Sequence, residues 1–343
     1  MLNNQSINLV WQERSNVIRK FIENMTNYKK LAEEVSYILK NKFSEVAVEY
    51  ADITFRSKEL NSFCEKIVRK NLSNPLEEVT DLAGVRIVYL YLNDRHKIEE
   101  IIENEFQIIQ KVDKVSEQNP DRFGYGAMHY LVKIGKNSSG ARYDDLKNLT
   151  CEIQVRTILQ DAWAIVAHHI SYKQESDVPD ILKRKLNALA GLFETADDQF
   201  DRLREERSAY REDIKNNLES KSSTLLAQPI NHDNLTVYLK WRFPEREHSD
   251  EETTVDLLNE LNKFGYKKLI DLDNIITKSL TAAEMMEKDY PPFDKDTMEE
   301  TRYLDVGMVR TALFLMDEIY LNSRNPSSKE RQRIEKFKNF LSK

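Results

Sequence analysis

This 343-residue chain has few glycines, only two cysteines and no excess of basic residues, and each of these features argues against a class of protein. Eight glycines are too few for an all-β fold with many tight turns, and they favour long helices joined by short loops. A formal net charge of −7 argues against a protein held on nucleic acid by bulk electrostatics, because such binding depends on a basic excess. Contacts with anions must therefore come from local clusters of cations.

The two cysteines, Cys64 and Cys151, are too few and too isolated for a disulfide framework or a structural zinc site. We expect both to be buried and reduced. The first residues lack a basic region followed by a long apolar stretch, so no secretion signal is expected. No run approaches the roughly 20 apolar residues that cross a bilayer. Together these absences predict a cytoplasmic protein.

The apolar pattern that remains divides the chain into three parts. Apolar residues at three- and four-residue steps predict N-terminal helices over residues 1–48. Residues 49–218 are predicted to be an α+β domain with a trailing helix, because strand and helix patterns are mixed there. Residues 230–343 are predicted to be a helical C-terminal domain that follows a linker at 219–229. One of its helices is expected to open at Ser249, in capping-box spacing with Glu252. The predicted strands lie at about 50–55, 85–92, 127–134 and 149–157, with helices at about 94–104, 158–172 and 181–218.

The first chemical cluster is cationic and lies where the first strand gives way to a helix. Arg56, Lys58, Ser62 and Lys66 follow one another there, and the last three share a helical face. Cations at a strand-to-helix junction suit a polyphosphate, because charge-assisted hydrogen bonds add to the field of the helix N-terminus. A basic helix surface without a ligand is the alternative.

Two more clusters flank the strongest predicted strands. Asp81 precedes a strand that carries Arg86, and such a carboxylate can be a turn residue or a magnesium ligand. Tyr125 lies between two glycines, which leaves its ring free to stack on a base, and His129 follows at the start of a strand. A Tyr–His pair of this kind is more often structural.

The fourth cluster is the most informative, because it puts polar residues in line on a predicted strand. Alternation places Glu152, Gln154 and Arg156 on one face, opposite Cys151, Ile153 and Val155. Burying a carboxylate, an amide and a guanidinium together is costly unless water or a ligand satisfies them. The next helix carries His168, which could be a core histidine or a substrate contact. No Walker P-loop or protein-kinase signature occurs.

In this order and spacing, the clusters resemble the RelA/SpoT nucleotide pyrophosphokinase family. The resemblance covers about 45–200. It rests on R-x-K-x-x-x-S-x-x-x-K at 56–66, D-L-A-G-V-R at 81–86, G-Y-x-x-x-H at 124–129, E-I-Q-V-R-T at 152–157 and H-x-x-x-Y-K at 168–173. It implies a mixed β-sheet flanked by helices, the nucleotidyltransferase-like synthetase core. The implied activity is magnesium-dependent transfer of the β,γ-diphosphate of ATP to a nucleotide 3′-hydroxyl, with release of AMP.

The resemblance also implies a role for each cluster. Asp81 would bind magnesium, and Glu152 would take the proton of the attacking hydroxyl or help to hold the metal. On the donor side, Arg56 and Arg86 would sandwich the adenine, and Lys58, Ser62 and Lys66 would hold the phosphates. On the acceptor side, Tyr125 would stack on the base, and His129, Gln154, Arg156 and His168 would line the pocket.

The resemblance leaves the acceptor open. GDP or GTP would make this a (p)ppGpp synthetase, but Phe123 stands where guanine-using relatives usually have Asn, and Asp161 stands where relatives commonly have His or Asn. A toxic or phage-defence member would make adenosine alarmones or modify the tRNA 3′ end. A catalytically weak nucleotide sensor is the third alternative.

The remaining expectations concern the parts outside these motifs. The single His-Asp pair, at 232–233, lacks the motif of the family's hydrolase domain, which predicts a synthetase-only member. Residues 230–343 carry no catalytic motif. They are predicted to be regulatory, binding a partner protein or a second copy of the chain.

Overall fold

The fold was analysed in a computed structural model that describes residues 3–113, 126–135, 138–170, 179–220, 223–293 and 299–341. The chain divides into two compact units, Met1–Leu203 and Arg204–Lys343. Within the described ranges, no helix combines the length and the apolar character needed to cross a membrane.

The first unit is built on a mixed five-stranded sheet of order β1-β2-β5-β4-β3. Its central pair, β2 and β5, is parallel, and the other neighbours are antiparallel. The fold class is therefore α+β, as predicted. The strands are β1 Tyr50–Ser57, β2 Ala83–Tyr89, β3 Phe106–Asp113, β4 Met128–Ile134 and β5 Cys151–Thr157. The helices are α1 Asn3–Val46, α2 Leu60–Lys70, α3 Pro75–Glu78, α4 Arg95–Glu105, α5 Ile158–Ile170 and α6 Asp180–Glu219, whose residues up to Leu203 belong to this unit.

One face of the sheet is apolar and packs against α1 and α4, and α2 packs against α1 in the same core. In β2, β4 and β5 buried residues alternate with half-buried ones, as successive side chains point to opposite faces of a strand. Phe21 of α1 stacks on Phe63 of α2 with ring centroids 4.4 Å apart, inside the same core. Full burial of such a ring contributes about 1.5–3 kcal/mol. The apolar face thus anchors the sheet and leaves its polar face open.

Strand β3 was not predicted, and its burial explains why. Only Phe106 of this edge strand is fully buried, and the pairing with β4 is interrupted between Ile108 and Gln110. A bulged, mostly exposed edge strand lacks the strict alternation that identifies a strand from sequence. The faces predicted for β2 and β5 are confirmed, since Val85, Ile87 and Ile153 are buried.

The second unit is mostly helical in its described residues, with loops and two isolated β-bridges between the helices, and it has its own apolar core. Its helices, after the end of α6, are α7 Ser223–Leu226, α8 His232–Arg242, α9 Glu251–Lys263, α10 Leu269–Asp289, α11 Asp305–Met316, α12 Glu318–Ser323 and α13 Ser328–Lys338. A buried ion pair joins Arg246 to Glu287 through two hydrogen bonds of 2.8 and 2.9 Å. Arg246 also donates to the backbone carbonyl of Tyr303, so the pair connects α10 to the segment before α11.

Two local expectations in this unit are corrected. The stretch predicted as a linker contains α7, and its Leu225 is buried. Asp250, not Ser249, caps α9 by accepting from the backbone of Thr253, whereas Ser249 donates to Asp305. The His-Asp pair at 232–233 begins α8.

Candidate active site

The open face of the sheet brings together residues that are distant in sequence. In one row, Arg56 of β1 pairs with Gly84 of β2, and Gly84 pairs with Glu152 of β5. Directly paired residues point to the same side of a sheet, so a guanidinium and a carboxylate flank a position without a side chain. The neighbouring row contains Arg86 on β2, Gln154 on β5 and His129 on β4.

Asp81 lies just before β2 and is held by two lysines. Its carboxylate accepts from Nζ of Lys58 at 2.6 Å and from Nζ of Lys66 at 2.8 Å, and all three side chains are less than 20% exposed. Burial alone would raise the pKa of Asp81, but the two ammonium groups outweigh it and lower that pKa to about 2. Asp81 is therefore ionised at neutral pH. Ser62 is exposed one turn before Lys66 on α2, outside this ion-pair cluster.

Glu152 is the second carboxylate of the open face. Its Oε1 lies 3.0 Å from Nδ1 of His129, and its Oε2 accepts from Nε2 of Gln154 at 2.9 Å. Burial opposes ionisation, yet the contacts with His129 and Gln154 keep the pKa of Glu152 below its usual value. Both oxygens have partners on the same face, so the carboxylate has a defined orientation.

Arg86 and Arg156 share one counter-ion. Nη1 of Arg86 lies 3.2 Å from Oδ1 of Asp161, and Nη1 of Arg156 lies 3.4 Å from the same oxygen. Burial and the neighbouring charge of Arg86 lower the pKa of Arg156, although its guanidinium stays charged at neutral pH. Within the described ranges, the buried Nε of Arg156 has no hydrogen-bond partner. An unsatisfied buried donor at this position suits a ligand acceptor.

Two clefts lie over these rows. One of about 360 Å³ is lined by three arginines, Arg56, Arg86 and Arg156. The other, of about 240 Å³, is lined by Asp81, Glu152 and two of the same arginines, Arg56 and Arg86. Because the clefts share Arg56, Arg86 and Gln154, they are adjacent parts of one concave region. Their lining also includes Gly84 in the smaller cleft and Ala164, Ile165 and His169 in the larger one.

Asp81 and Glu152 fit a magnesium ion that is held together with substrate phosphates. Both line the smaller cleft, so the two carboxylates face the same space. Mg²⁺ takes one or two carboxylates and completes its coordination with phosphates and water. In the part of the chain that the structure describes, no group of three or more His, Cys, Asp or Glu could hold a metal alone. A metal here would depend on the nucleotide.

The residues predicted for the acceptor side are described only in part. His129, Arg156 and Trp163 line a further cleft of about 220 Å³. Tyr125 and the side chain of His168 lie outside the described residues. Trp163 and Gln160, which lines the same cleft, were not predicted. Their spacing on α5 is the signal that could have found them, because residues three or four apart share a helical face.

Comparisons with known proteins agree with this geometry. Residues 55–177 match the family described as "Region found in RelA / SpoT proteins". GTP pyrophosphokinase YwaC of Bacillus subtilis is 27% identical over 49% of this chain and 84% of its own length. GTP pyrophosphokinase YjbM of the same organism is 26% identical over 52% of this chain and 86% of its own.

Among solved structures, the small alarmone synthetase 1 of Bacillus subtilis superposes with a TM-score of 0.46 and 23% identity, covering 55% of this chain and 97% of that chain. The matched family region contains the open face of the sheet and all four of the predicted clusters. Residues 55–177 therefore carry a RelA/SpoT region, and this part of the chain is similar to pyrophosphokinases of the synthetase type.

Proposed function

We propose that the chain transfers the β,γ-diphosphate of ATP to the 3′-hydroxyl of GDP or GTP, making (p)ppGpp and releasing AMP. The observation that carries this proposal is the pair of ionised carboxylates, Asp81 and Glu152, on one cleft that arginines also line. Two relatives named GTP pyrophosphokinase support the guanosine nucleotide as acceptor.

The donor would lie over β1 and β2. Arg56 and Arg86 line both adjacent clefts, where guanidinium planes can stack on adenine. Lys58 and Lys66 are less than 4 Å from the Asp81 carboxylate, so they lie where they can hold phosphates next to it. Ser62, exposed on α2, would add a hydroxyl to the phosphate side. Transfer of a phosphoryl-type group depends mainly on positioning and charge neutralisation, which these residues supply.

Asp81 and Glu152 would hold Mg²⁺ with the phosphates of ATP. Bound there, the ion would neutralise charge on the transferred diphosphate and on the departing AMP. The lysine contacts of Asp81 would then be exchanged for lysine contacts to phosphate.

Glu152 is the residue we assign to the acceptor hydroxyl. Its depressed pKa keeps it ionised, and His129 and Gln154 fix its orientation. In the reaction the 3′-oxygen forms a bond to the β-phosphorus of ATP and the bond from the α,β-bridging oxygen to that phosphorus breaks. The bond's electron pair leaves with AMP, and the hydroxyl proton passes to Glu152 or is released to water.

The acceptor side would be formed by His129, Gln154 and Arg156, with Tyr125 and His168 contributing as the family pattern implies. The buried, unpartnered Nε of Arg156 supports a ligand acceptor on this side. Adenosine nucleotides and the 3′ end of tRNA are the alternative acceptors. Offering each acceptor separately in the assay distinguishes them from GDP and GTP.

The test uses ATP labelled at the terminal phosphate, with Mg²⁺ and one acceptor at a time: GDP, GTP, ADP or deacylated tRNA. Label in a guanosine nucleotide supports the proposal. Label only in adenosine nucleotides or tRNA would contradict the guanosine acceptor and support the toxic or phage-defence alternative. If no acceptor is labelled, the result supports the alternative of a catalytically weak nucleotide sensor.

Glu152→Gln supplies the matched chemical test. We expect transfer to fall by at least about 100-fold, the usual size of a general-base contribution, while ATP binding stays within about threefold. Glu100→Gln, at an exposed position of α4, is the control and should behave as the unsubstituted chain. A fully active Glu152→Gln variant would remove Glu152 from the mechanism.

We also propose that the helical second unit is regulatory, through a partner protein or a second copy of the chain. Its packed core and the lack of catalytic motifs support this role. Deletion of residues 225–343 should change activity or oligomeric state. Unchanged activity, oligomeric state and cellular effect would exclude regulation by this unit.

A further inference from the structure

Asp161, in the first turn of α5, is mostly buried and touches two of the arginines that line the larger cleft. Its Oδ1 contacts Nη1 of Arg86 at 3.2 Å and Nη1 of Arg156 at 3.4 Å, and its side chain is 16% exposed. Both arginines line the cleft of about 360 Å³. A carboxylate of the protein thus competes for guanidinium groups that would otherwise be available to an anionic ligand.

The two arginines repel each other, and Asp161 offsets that repulsion. Burial and the charge of Arg86 both lower the pKa of Arg156, so the guanidiniums interact unfavourably in a poorly solvated place. The carboxylate lowers the net charge of the three groups to a single positive charge. Removing it would leave two cations facing the cleft, a stronger site for phosphate.

We propose that Asp161 is a specificity-determining residue that disfavours acceptors with many 5′-phosphates. This rests on the proposed function, because it assumes that Arg156 faces the acceptor. Each added phosphate charge would have to displace Asp161 from the arginines or bind beside it. Charges several ångströms apart at an effective dielectric constant of about 20 change affinity by about tenfold.

The direction of the effect separates this role from a purely structural one. If Asp161 only held the arginines in place, its loss would weaken every acceptor or leave all of them unchanged. If it repels phosphate, its loss strengthens acceptors, and does so more for a triphosphate than for a monophosphate. The ratio of kcat/KM between two acceptors, measured at saturating ATP, also cancels any change on the donor side.

The experiment compares guanosine 5′-mono-, di- and triphosphate as acceptors in four variants. Asp161→Asn and Asp161→Ser remove the charge, Asp161→Glu keeps it, and Asp198→Asn is a control at an exposed position of α6. We expect the triphosphate-to-monophosphate ratio to rise about tenfold in both neutral variants and to stay unchanged in the other two. An unchanged or lower ratio in a folded neutral variant overturns the assignment.

Binding measured by calorimetry separates this inference from the proposed function. If no variant transfers diphosphate, but both neutral variants gain about tenfold in the same affinity ratio, the proposed reaction fails and Asp161 remains an anion discriminator. If the unsubstituted chain is active and the neutral variants change neither ratio, the reaction stands and the role of Asp161 is refuted. Because Asp161→Asn and Asp161→Ser differ in size, the test can still be made if one of the two variants fails to fold.

Discussion

Glu152 and His129, on neighbouring strands of the sheet, are joined by a 3.0 Å contact between Oε1 and Nδ1. Together with the hydrogen bond from Gln154, this contact holds the pKa of Glu152 down although burial acts to raise it. The carboxylate therefore becomes ionised as pH rises through its depressed pKa, and it is protonated as pH falls through that value.

Removing His129 should move the acid limb of the pH–rate profile. In His129→Ala the lowering contact is lost while burial still opposes ionisation, so the pKa of Glu152 rises and the acid limb of kcat/KM shifts to higher pH. Gln154→Leu should shift it in the same direction. His96→Ala, exposed on α4, is the control. If the acid limb does not move in His129→Ala, the group that titrates in that limb is not Glu152.

The ion-paired Asp81 should make the first unit acid-sensitive. Because its pKa falls from 3.8 to about 2 in the folded state, the carboxylate stabilises that state by about 2 kcal/mol above pH 4. This contribution is lost as pH falls from about 4 to 2. We expect Asp81→Asn to be less stable than the unsubstituted chain at pH 7, and the difference to shrink at pH 2–3.

Denaturant unfolding in a Trp241→Phe background measures this difference, since the remaining tryptophans, Trp11 and Trp163, lie in the first unit. Asp145→Asn, at an exposed position, should show no difference at either pH. A constant gap between Asp81→Asn and its parent across the acid range would contradict the assigned pKa.

Gly84 should tolerate a methyl group but not a large side chain. A Cβ at this position would meet its nearest atoms at 3.9 Å, an ordinary contact, so Gly84→Ala should fold with stability within about 1 kcal/mol. Gly84→Leu would project into the cleft that Asp81 and Glu152 line, and should weaken binding of magnesium-ATP by at least about tenfold. Calorimetry and melting temperature, measured on both variants, separate binding from folding. Unchanged ATP affinity in Gly84→Leu would mean that the nucleotide lies elsewhere.

The buried pair in the second unit should be costly to break on one side. Arg246→Met leaves Glu287 charged and 10% exposed, which we expect to cost about 3–5 kcal/mol in the unfolding free energy of that unit. Arg310→Met should cost about 1 kcal/mol or less, because Arg310 is 30% exposed and Glu260 keeps other partners. Fluorescence of Trp241, in a background with Trp11→Phe and Trp163→Phe, follows this unit during denaturant unfolding. Similar costs for the two variants would contradict the burial argument.

Alternation along β2 and β5 was enough to predict which side chains share the open face. Strand periodicity depends only on the backbone, so Arg86 and Glu152 could be placed on it before the pairing was known. The parallel pairing itself could not be predicted, because it depends on contacts between segments far apart in the chain. For the same reason the Asp81 cluster was predicted as separate charges near a phosphate, not as a carboxylate shared by two lysines.

Features that depend on helix placement were harder to predict. The bridge from Asp161 to Arg86 and Arg156 requires the start of α5 to lie over β2, which no local pattern encodes. The cap of α9 was predicted at Ser249 because its spacing to Glu252 fits a capping box. In the structure the Ser249 hydroxyl donates to Asp305, and Asp250 is the residue that caps the helix. Tertiary partners, which are invisible in a single sequence, decide such competitions.

The parallel pairing of β2 with β5 has a consequence during protein synthesis. Gly84 is made well before Glu152, by roughly 3–14 seconds at the usual rates of translation. Until β5 has left the ribosome and closed that long loop, Asp81 and its lysines have no second carboxylate beside them. A growing or truncated chain that ends before β5 can carry Lys58, Lys66 and Asp81 but cannot bring Asp81 and Glu152 together at one cleft. The proposed diphosphate transfer, which depends on both carboxylates, would therefore report that this domain has been completed.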